Sequence, residues 1–319
     1  MQRTKTGPTR RSFLSTLSAG AAGCVSTLPG LASARQAVQA PWSTGIEAPK
    51  LKVPANAADC HHHIYDSRFP VSPKAVLKPG DATAAQYRLL QRRLGTSRNV
   101  VVQPSTYGTD NSCLLDALSQ FGSTARGVAV VDTTVTDPQL KDLNAAGVRG
   151  IRFNLQQAGA TTLDMLEPLS RRITPLGWHV QINASPEQLV GAADLLSSLP
   201  CPIVLDHLAH VLSASASDPG FAVVSKLLAK GNTWVKLSGA YIDSKAGPPN
   251  YADRTAVAKA YVKQASERCV WGTDWPHPTT PNKPDDAILL DLLAVWVPDQ
   301  RLRNRILVEN PEKLYGFAR

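Results

Sequence analysis

The sequence lacks several features that mark whole classes of protein. Its 319 residues include only 5 cysteines and no CxxC pair, so a structural zinc site is not expected. Beyond the N-terminal region no run of about 20 apolar residues occurs, and we expect no membrane span. No stripe of Lys and Arg with interleaved aromatic residues occurs, which argues against nucleic-acid binding. What remains, 43% hydrophobic and 18% charged residues, is typical of a globular protein with a sizeable core.

The first 34 residues have the order of a twin-arginine signal peptide. Arg10 and Arg11 precede a mildly apolar stretch rich in Ala, Gly and Ser, and Ala32-Ser33-Ala34 offers a small-x-small cleavage site. A disordered basic arm does not explain this order. A lipoprotein site at Cys24 is a minor alternative, because Ala stands where such sites prefer Leu. We therefore predict a signal peptide over 1–34 and an exported, periplasmic protein.

Cleavage changes the charge and the cysteine count. The leader holds four basic and no acidic residues, so the formal net charge falls from +9 to +9 − 4 = +5. A mildly basic body is compatible with an acidic small-molecule substrate but does not require one. Because the twin-arginine route carries proteins that have already folded, we expect buried free thiols rather than disulfides. The four remaining cysteines are Cys60, Cys113, Cys201 and Cys269.

Short apolar segments alternate with amphipathic ones from residue 58 onward. This alternation favours a parallel sheet covered by helices, and eight such units predict a (β/α)8 TIM barrel over 58–319. A Pro- and Ala-rich arm at 35–57 precedes it. A doubly wound open sheet is the alternative, disfavoured because no Gly-rich phosphate turn follows the first strand. The predicted strands are 58–64, 99–103, 127–131, 150–154, 178–183, 202–206, 233–238 and 269–272.

Polar side chains stand at the predicted exits of three strands. In the first strand, the alternation of side chains places Asp59, His61 and His63 on one face and His62 on the other. A histidine follows strand six, and an aspartate follows strand eight. Barrel enzymes carry their active sites at the C-terminal ends of their strands, so these side chains are expected to share one site. The predicted catalytic residues are His61, His63, His207 and Asp274.

The chain resembles the amidohydrolase superfamily in "DCHHHIYD", "AAGVRGIRFN", "IVLDHLAH", "WVKLSGAY" and "VWGTDWPHP". It is most similar to the branch that contains 2-pyrone-4,6-dicarboxylate lactonase and sugar-lactone enzymes. The resemblance implies a lactone hydrolase in which Asp274 activates water and the histidines polarise the carbonyl group. Alternatives are a sugar-lactone isomerase and a metal-dependent hydrolase or decarboxylase of the same superfamily. A non-catalytic binding protein is disfavoured, because a binder does not need these groups together.

The resemblance also bears on metal. Many members of the superfamily bind zinc through the HxH pair, a His or carboxylated Lys on strand five, and the strand-eight Asp. Here Gln181 and Asn183, both poor ligands for transition metals, stand near the exit of strand five, and His179 lies at its other end. The lactonase branch works without metal, so no cofactor is expected to be required. The alternative is one divalent ion, Zn or Mn, held by His61, His63, His207 and Asp274.

Residues that would bind an acidic or sugar-derived lactone follow from the same resemblance. Ser105 matches a serine that contacts substrate in the lactonase pattern. An arginine on strand four could grip a carboxylate in bidentate fashion. Arg149 and Arg152 point to opposite faces of that strand, so one of them is expected to face inward. The predicted substrate-binding residues are Arg152, Ser105, Tyr107, Gln181, His210 and Tyr241.

Three departures from the dicarboxylate pattern concern substrate choice. The second Arg of the pattern is Ala158 here, and the Arg that follows "DHxx" is His210. An aromatic residue of the first loop is replaced by Leu77. We therefore expect that lactonase chemistry is kept and that specificity for two carboxylates is lost.

Overall fold

Eight parallel strands form one sheet in the order β1 to β8, in which each strand is hydrogen-bonded to its neighbours in sequence. The computed structural model describes residues 39–157 and 159–318. His63 N donates a 2.8 Å hydrogen bond to Trp275 O just after β8, so the sheet is a nearly closed barrel, as predicted. The strands are β1 Ala58–His62, β2 Arg98–Val102, β3 Ala125–Ala129, β4 Val148–Asn154, β5 His179–Asn183, β6 Ile203–Leu205, β7 Thr233–Leu237 and β8 Cys269–Trp271.

Helices connect the strands. Thr83, Thr136 and Ser185 begin three of them with capping boxes, in which the side chain accepts a backbone N–H and a glutamine three residues later reaches back. The α-helices are α1 Ala84–Leu94, α2 Ser112–Phe121, α3 Asp137–Ala145, α4 Leu166–Ile173, α5 Pro186–Gly191, α6 Ala193–Ser198, α7 Pro219–Lys230, α8 Ala240–Asp243, α9 Ala252–Ala265, α10 Asp286–Trp296, α11 Gln300–Asn304 and α12 Asn310–Tyr315.

The barrel has a core on each side of its sheet. The larger core lies between the strands and the surrounding helices. The smaller one fills the barrel with valines from β2, β3, β6 and β8, and it includes Leu314, Tyr315 and Phe317 from the C-terminal segment. The N-terminal end of the barrel is thus closed by apolar side chains. The polar side chains of the interior lie toward the other end.

The first strand departs from the predicted alternation. Its pairing with β2 shifts register between Asp59 and His62. Asp59 accepts hydrogen bonds from the hydroxyls of Tyr87 on α1 and Thr273, whereas Cys60 belongs to the core inside the barrel. The prediction that Asp59 shares a face with His61 and His63 is therefore wrong, because a β-irregularity turns consecutive residues to the same side. His62 points outward as predicted and stacks on Tyr87, with ring centroids 3.6 Å apart.

The described part of the predicted arm, 39–57, packs along the barrel without regular secondary structure. Arg93 of α1 donates hydrogen bonds to the carbonyl oxygens of Thr44 and Glu47, and Leu51 N donates to Asp291 of α10. The predicted signal peptide 1–34, with Arg10, Arg11 and Cys24, lies outside the described residues, as do residues 35–38. No described helix is long and apolar enough to cross a membrane. The four cysteines among the described residues are buried and free, as predicted.

Gly272, directly after β8, offers a test of how closely β8 approaches β1. A Cβ atom at Gly272 would lie 2.7 Å from the backbone N of His61, which is too close for any side chain. We predict that Gly272→Ala lowers the free energy of unfolding by about 1–3 kcal/mol, as measured by urea denaturation. Gly191→Ala is the matched control, because a Cβ there meets nothing within 4 Å. Equal stability of the two variants would show that the strands can separate without cost.

Candidate active site

A cleft opens at the C-terminal end of the barrel, where the strands end. Its walls come from the loops that follow β1, β2, β4, β5, β6, β7 and β8. His61 lies beneath the cleft and contacts His63, their Nε2 atoms being 3.3 Å apart. The other predicted site residues that line the cleft are His63, Ser105, Arg152, His207, His210 and Asp274.

The Asp274 carboxylate is the point at which the predicted catalytic residues meet. Its Oδ1 lies 3.5 Å from His61 Nε2, 3.4 Å from His63 Nε2 and 3.7 Å from His207 Nε2. Its Oδ2 accepts a 2.6 Å hydrogen bond from the Tyr241 hydroxyl. The side chains of Asp274 and the three histidines are at most 5% exposed. The structure therefore brings together three imidazoles and one carboxylate from β1 and from the segments that follow β1, β6 and β8.

An unusual backbone conformation aims two of these side chains. His207, Leu208, Ala209 and His210 all have left-handed φ angles of 51° to 55°, and Asp274 has φ 66°. Such angles cost free energy for residues with a Cβ, and clusters of them are typical of functional sites. Gly239, after β7, makes room for the turn, because a Cβ there would lie 2.7 Å from His207 Nδ1.

The charges of the site follow from burial and from the neighbouring rings. Burial alone would raise the pKa of Asp274, but the adjacent His207, His63 and His61 outweigh it and hold the pKa well below its usual range. Burial lowers the pKa of His207 to about 4, and burial together with Lys236 lowers the pKa of His61 well below its usual range. At neutral pH an ionised carboxylate thus faces neutral His61 and His207 rings.

Beneath the cleft lie two charged residues that are not among the predicted site residues. The ammonium of Lys236, on β7, lies 3.7 Å from Asp206 Oδ1 after β6, and both side chains are fully buried. Burial lowers the pKa of Lys236 to about 8, opposed by Asp206. The pKa of Asp206, which burial would raise, is held well below its usual range by His61, Lys236 and Arg152. A lysine inside the apolar strand "TWVKL" was the sequence signal for this ion pair.

A chain of polar side chains crosses the cleft wall. His210 places Nδ1 2.9 Å from Asp243 Oδ2 and Nε2 2.7 Å from Asn183 Oδ1. Asn183 Nδ2 donates to Asn154 Oδ1 at 3.0 Å, and Asn154 Nδ2 donates to Ser105 Oγ at 2.9 Å. These uncharged amide and hydroxyl groups can bind substrate hydroxyls. His210 stands where the dicarboxylate lactonase pattern has an arginine after "DHxx", and its two ring nitrogens are hydrogen-bonded to Asp243 and Asn183.

Arg152 is the strand-four arginine that faces the cleft. Its Nε lies 3.4 Å from Asp206 Oδ2, and this is the one side-chain hydrogen bond its guanidinium makes to the described residues. Both Nη groups are therefore available to a ligand in the cleft. Arg149 faces the other way and bonds the carbonyl oxygen of Asn144.

Three predicted substrate-binding residues are not part of the cleft lining. The Tyr107 hydroxyl is bonded to the backbone of Asp66. It accepts a 2.8 Å hydrogen bond from Asp66 N and donates a 3.1 Å hydrogen bond to Asp66 O. Gln181 is fully buried below the cleft and accepts a 2.7 Å hydrogen bond from Lys236. Tyr241 contacts Asp274 as described above. Leu77 lines the cleft, whereas Ala158 lies outside the described residues.

The donor set fits a divalent ion. In a tetrahedral zinc site with ligand distances of about 2.0–2.2 Å, ligand atoms are about 3.3–3.6 Å apart. His61 Nε2, His63 Nε2 and Asp274 Oδ1 are separated by 3.3, 3.5 and 3.4 Å. His207, the fourth ligand predicted for this ion, has its Nε2 3.7 Å from Asp274 Oδ1 but does not belong to this group of mutually close donor atoms. His179, at the far end of β5, lies against the Tyr315 ring and is not available to this group.

Comparisons with known proteins show which family the chain is similar to. The 2-pyrone-4,6-dicarboxylate hydrolase of Comamonas testosteroni is 36% identical over 86% of this chain and 94% of its own length. A 4-sulfomuconolactone hydrolase of Rhizobium radiobacter is 34% identical over 83% and 91%, respectively. The D-galactarolactone isomerase of Agrobacterium fabrum is 34% identical over 85% and 94%. The model of the amidohydrolase family matches residues 58–317, and the chain belongs to that family.

Proposed function

We propose that the protein hydrolyses a lactone of a small acid that carries one carboxylate or several hydroxyl groups. The observation that carries this proposal is the meeting of three imidazoles with the Asp274 carboxylate at the floor of the cleft, at 3.4 to 3.7 Å. Hydrolysis of a cyclic ester needs a base for water and donors for the carbonyl oxygen, and this group supplies both. The relatives named above as hydrolases support this assignment.

In the proposed reaction, the Asp274 carboxylate accepts a proton from water as the water oxygen attacks the carbonyl carbon. Imidazole N–H groups beside it donate hydrogen bonds to the carbonyl oxygen as that oxygen becomes negative. The ring C–O bond then breaks, and the proton passes from Asp274 to the leaving alkoxide. The product is the open-chain hydroxy acid.

The depressed pKa of Asp274 suits the second half of this sequence. A carboxyl group with a low pKa is a weak base, so the attack depends on how well the carbonyl is polarised. Once protonated, however, the same group is a strong acid and readily gives its proton to the alkoxide. The Tyr241 hydroxyl, which donates to Oδ2, holds the carboxylate with Oδ1 toward the histidines.

The cleft favours a substrate with one carboxylate. Arg152 offers the free guanidinium fork that matches a carboxylate, while Ser105, Asn154 and Asn183 offer neutral partners for hydroxyl groups. The pattern's second and third arginines correspond to Ala158 and His210, which leaves fewer permanent cations than two carboxylates need.

A sugar-lactone isomerase is the second candidate, supported by the similarity to the galactarolactone isomerase. An isomerase would use the same groups but transfer the acyl group to a substrate hydroxyl in place of water. Hydrolysis releases a proton at neutral pH, whereas isomerisation releases none. A pH-indicator assay therefore separates the two reactions.

Export by the twin-arginine route is part of the proposal, supported by the order of basic, apolar and small residues in 1–34. The protein would then act on its lactone in the periplasm after folding in the cytoplasm.

We further propose that hydrolysis requires no metal, because Gln181 and Asn183 occupy the end of β5 and the Lys236 ammonium lies next to His61. The spacing of His61, His63 and Asp274 supports the alternative, a metal-dependent hydrolase or decarboxylase. A bound ion would polarise the substrate carbonyl as a Lewis acid.

We predict that the purified protein contains well under one equivalent of zinc or manganese. It should keep its turnover of lactones after dialysis against a chelator, because its own N–H groups polarise the carbonyl. Elemental analysis beside a lactone assay with and without chelator measures both. Stoichiometric metal whose removal abolishes turnover, restored by adding the metal back, would establish the metal-dependent alternative.

We predict that Asp274→Asn lowers kcat by about 10²–10⁴, with much smaller changes in KM, because the amide cannot accept a proton. His62→Gln is a matched control from the same cluster, since His62 lies on the outer face and stacks on Tyr87. It should lose stability but retain turnover. A folded Asp274→Asn protein with near wild-type turnover would exclude Asp274 as the base.

Arg152→Met should weaken binding of carboxylated lactones by roughly 2–5 kcal/mol, because the substrate charge is left buried without its partner. Binding of uncharged lactones should change little. The outward-facing Arg149→Met is the control, and KM across a panel of charged and uncharged lactones is the measurement. An equal loss for both kinds of lactone would contradict the role of Arg152 as carboxylate anchor.

A further inference from the structure

Three groups surround the ammonium of Lys236, and two of them lie within hydrogen-bonding distance. Its Nζ lies 2.7 Å from Gln181 Oε1, 3.2 Å from His61 Nδ1 and 3.7 Å from Asp206 Oδ1. The residue is fully buried, so water does not compete for these positions. An ammonium group can only donate, so each contact needs an acceptor.

His61 Nδ1 lies between two groups that make opposite demands on it. The Lys236 ammonium requires a lone pair on Nδ1, whereas the Asp206 carboxylate, also 3.2 Å away, would prefer an N–H there. The geometry favours lysine, because Asp206 Oδ1 receives no aligned hydrogen bond from a described residue. Asp206 is instead satisfied at Oδ2, by Gln181 Nε2 at 3.2 Å and Arg152 Nε at 3.4 Å.

We propose that Lys236 is a positioning residue that holds the proton of His61 on Nε2, so that His61 presents an N–H to the cleft. Because a neutral imidazole carries one proton, a lone pair on Nδ1 leaves the proton on Nε2. There it points toward His63 Nε2 and Asp274 Oδ1, at 3.3 and 3.5 Å. Given the proposed lactone hydrolysis, on which this inference rests, this N–H is the donor for the carbonyl oxygen.

His63 provides the complementary half of the arrangement. Its Nδ1 lies 2.8 Å from the carbonyl oxygen of Val102, which can only accept, so His63 carries its proton on Nδ1. Its Nε2, which faces His61 Nε2 at 3.3 Å, then carries a lone pair and no proton. The two histidines of the HxH pair thus have opposite tautomers, set by a lysine below one and a carbonyl beside the other.

The same lysine acts against metal binding. A histidine that binds a metal through Nε2 must have its lone pair there and its proton on Nδ1, usually donated to a carboxylate. Asp206 stands where that carboxylate is needed, at 3.2 Å. Removing Lys236 would therefore leave the arrangement of a metal-bound histidine, with Asp206 as the acceptor.

The first test leaves Lys236 in place. All seven histidines of the chain lie at known places, so ¹⁵N-histidine labelling gives a tractable set of ring signals. Nitrogen chemical shifts of the metal-stripped protein should show His61 protonated on Nε2 and His63 on Nδ1, with His61→Gln and His63→Gln spectra providing the assignment. A proton on Nδ1 of His61 would overturn the inference, whatever the protein's activity.

The second test removes the ammonium. In Lys236→Met the His61 proton should move to Nδ1 and be donated to Asp206. The kcat for lactones should fall by about 10²-fold, as for other lost oxyanion donors, with KM little changed. The affinity for Zn²⁺, measured by calorimetry on the apoprotein, should rise about tenfold or more. Unchanged tautomer and unchanged zinc affinity in a folded variant would refute the role of Lys236.

A matched control and a rescue separate positioning from stability. Arg93→Met also removes a buried cation, one that pairs with Asp285 away from the cleft, and it should lower stability without moving the His61 proton.

The double variant Lys236→Met/Asp206→Asn is the rescue. The amide oxygen introduced at position 206 should take the place of Oδ2 beside Arg152. The amide NH2 group then faces His61 Nδ1 and can donate a hydrogen bond to it. The Nε2–H tautomer and part of kcat should return, and no recovery would contradict the inference. If no lactone is turned over but the tautomers are as stated, the proposed function fails and the inference about Lys236 stands.

Discussion

The buried Asp206 carboxylate is the interaction on which the rest of the site depends. It follows β6, yet it meets His61 from β1, Arg152 from β4 and Lys236 from β7 within 3.2 to 3.7 Å. Side chains from β1, β4 and β7 thus surround one buried anion. Removing one partner from such a buried group is strongly destabilising, because the remaining charge cannot be solvated. The carboxylate therefore fixes both the barrel interior and the residues above it.

The barrel divides its interior between stability and chemistry. At the N-terminal end, Tyr315 and Phe317 close it with apolar side chains, and His179 is buried there as a neutral ring. Toward the C-terminal end, the interior of the barrel contains first the Lys236–Asp206 pair and then the histidines of the site. Because few water molecules can reach this layer, each hydrogen bond in it is strong and directional. The orientation of the His61 ring, set by Lys236 below it, therefore determines which hydrogen bond its Nε2 makes toward Asp274.

Much of the architecture could be predicted from local patterns. All eight predicted strands exist, most with shifts of one or two residues, because a buried parallel strand is a short apolar run. Helix breaks were harder: the amphipathic stretch 186–199 forms two helices, α5 and α6, which are separated at Ala192 directly after Gly191. The irregularity in β1 was missed because the strand, ADCHH, contains neither Gly nor Pro. Strict alternation then placed Asp59 on the wrong face, since register depends on the partner strand.

The sequence alone determined which chemical groups stand at the strand exits, and with them the family and the class of reaction. His61, His63, His207 and Asp274 could be identified because the C-terminal ends of barrel strands converge. Only the tertiary structure decided how these groups are coupled. Lys236 is 175 residues from His61, and no local pattern reports that their nitrogen atoms lie 3.2 Å apart. Distances, tautomers and pKa values arise where strands remote in sequence meet, and there the closed barrel, rather than any single segment, sets the chemistry.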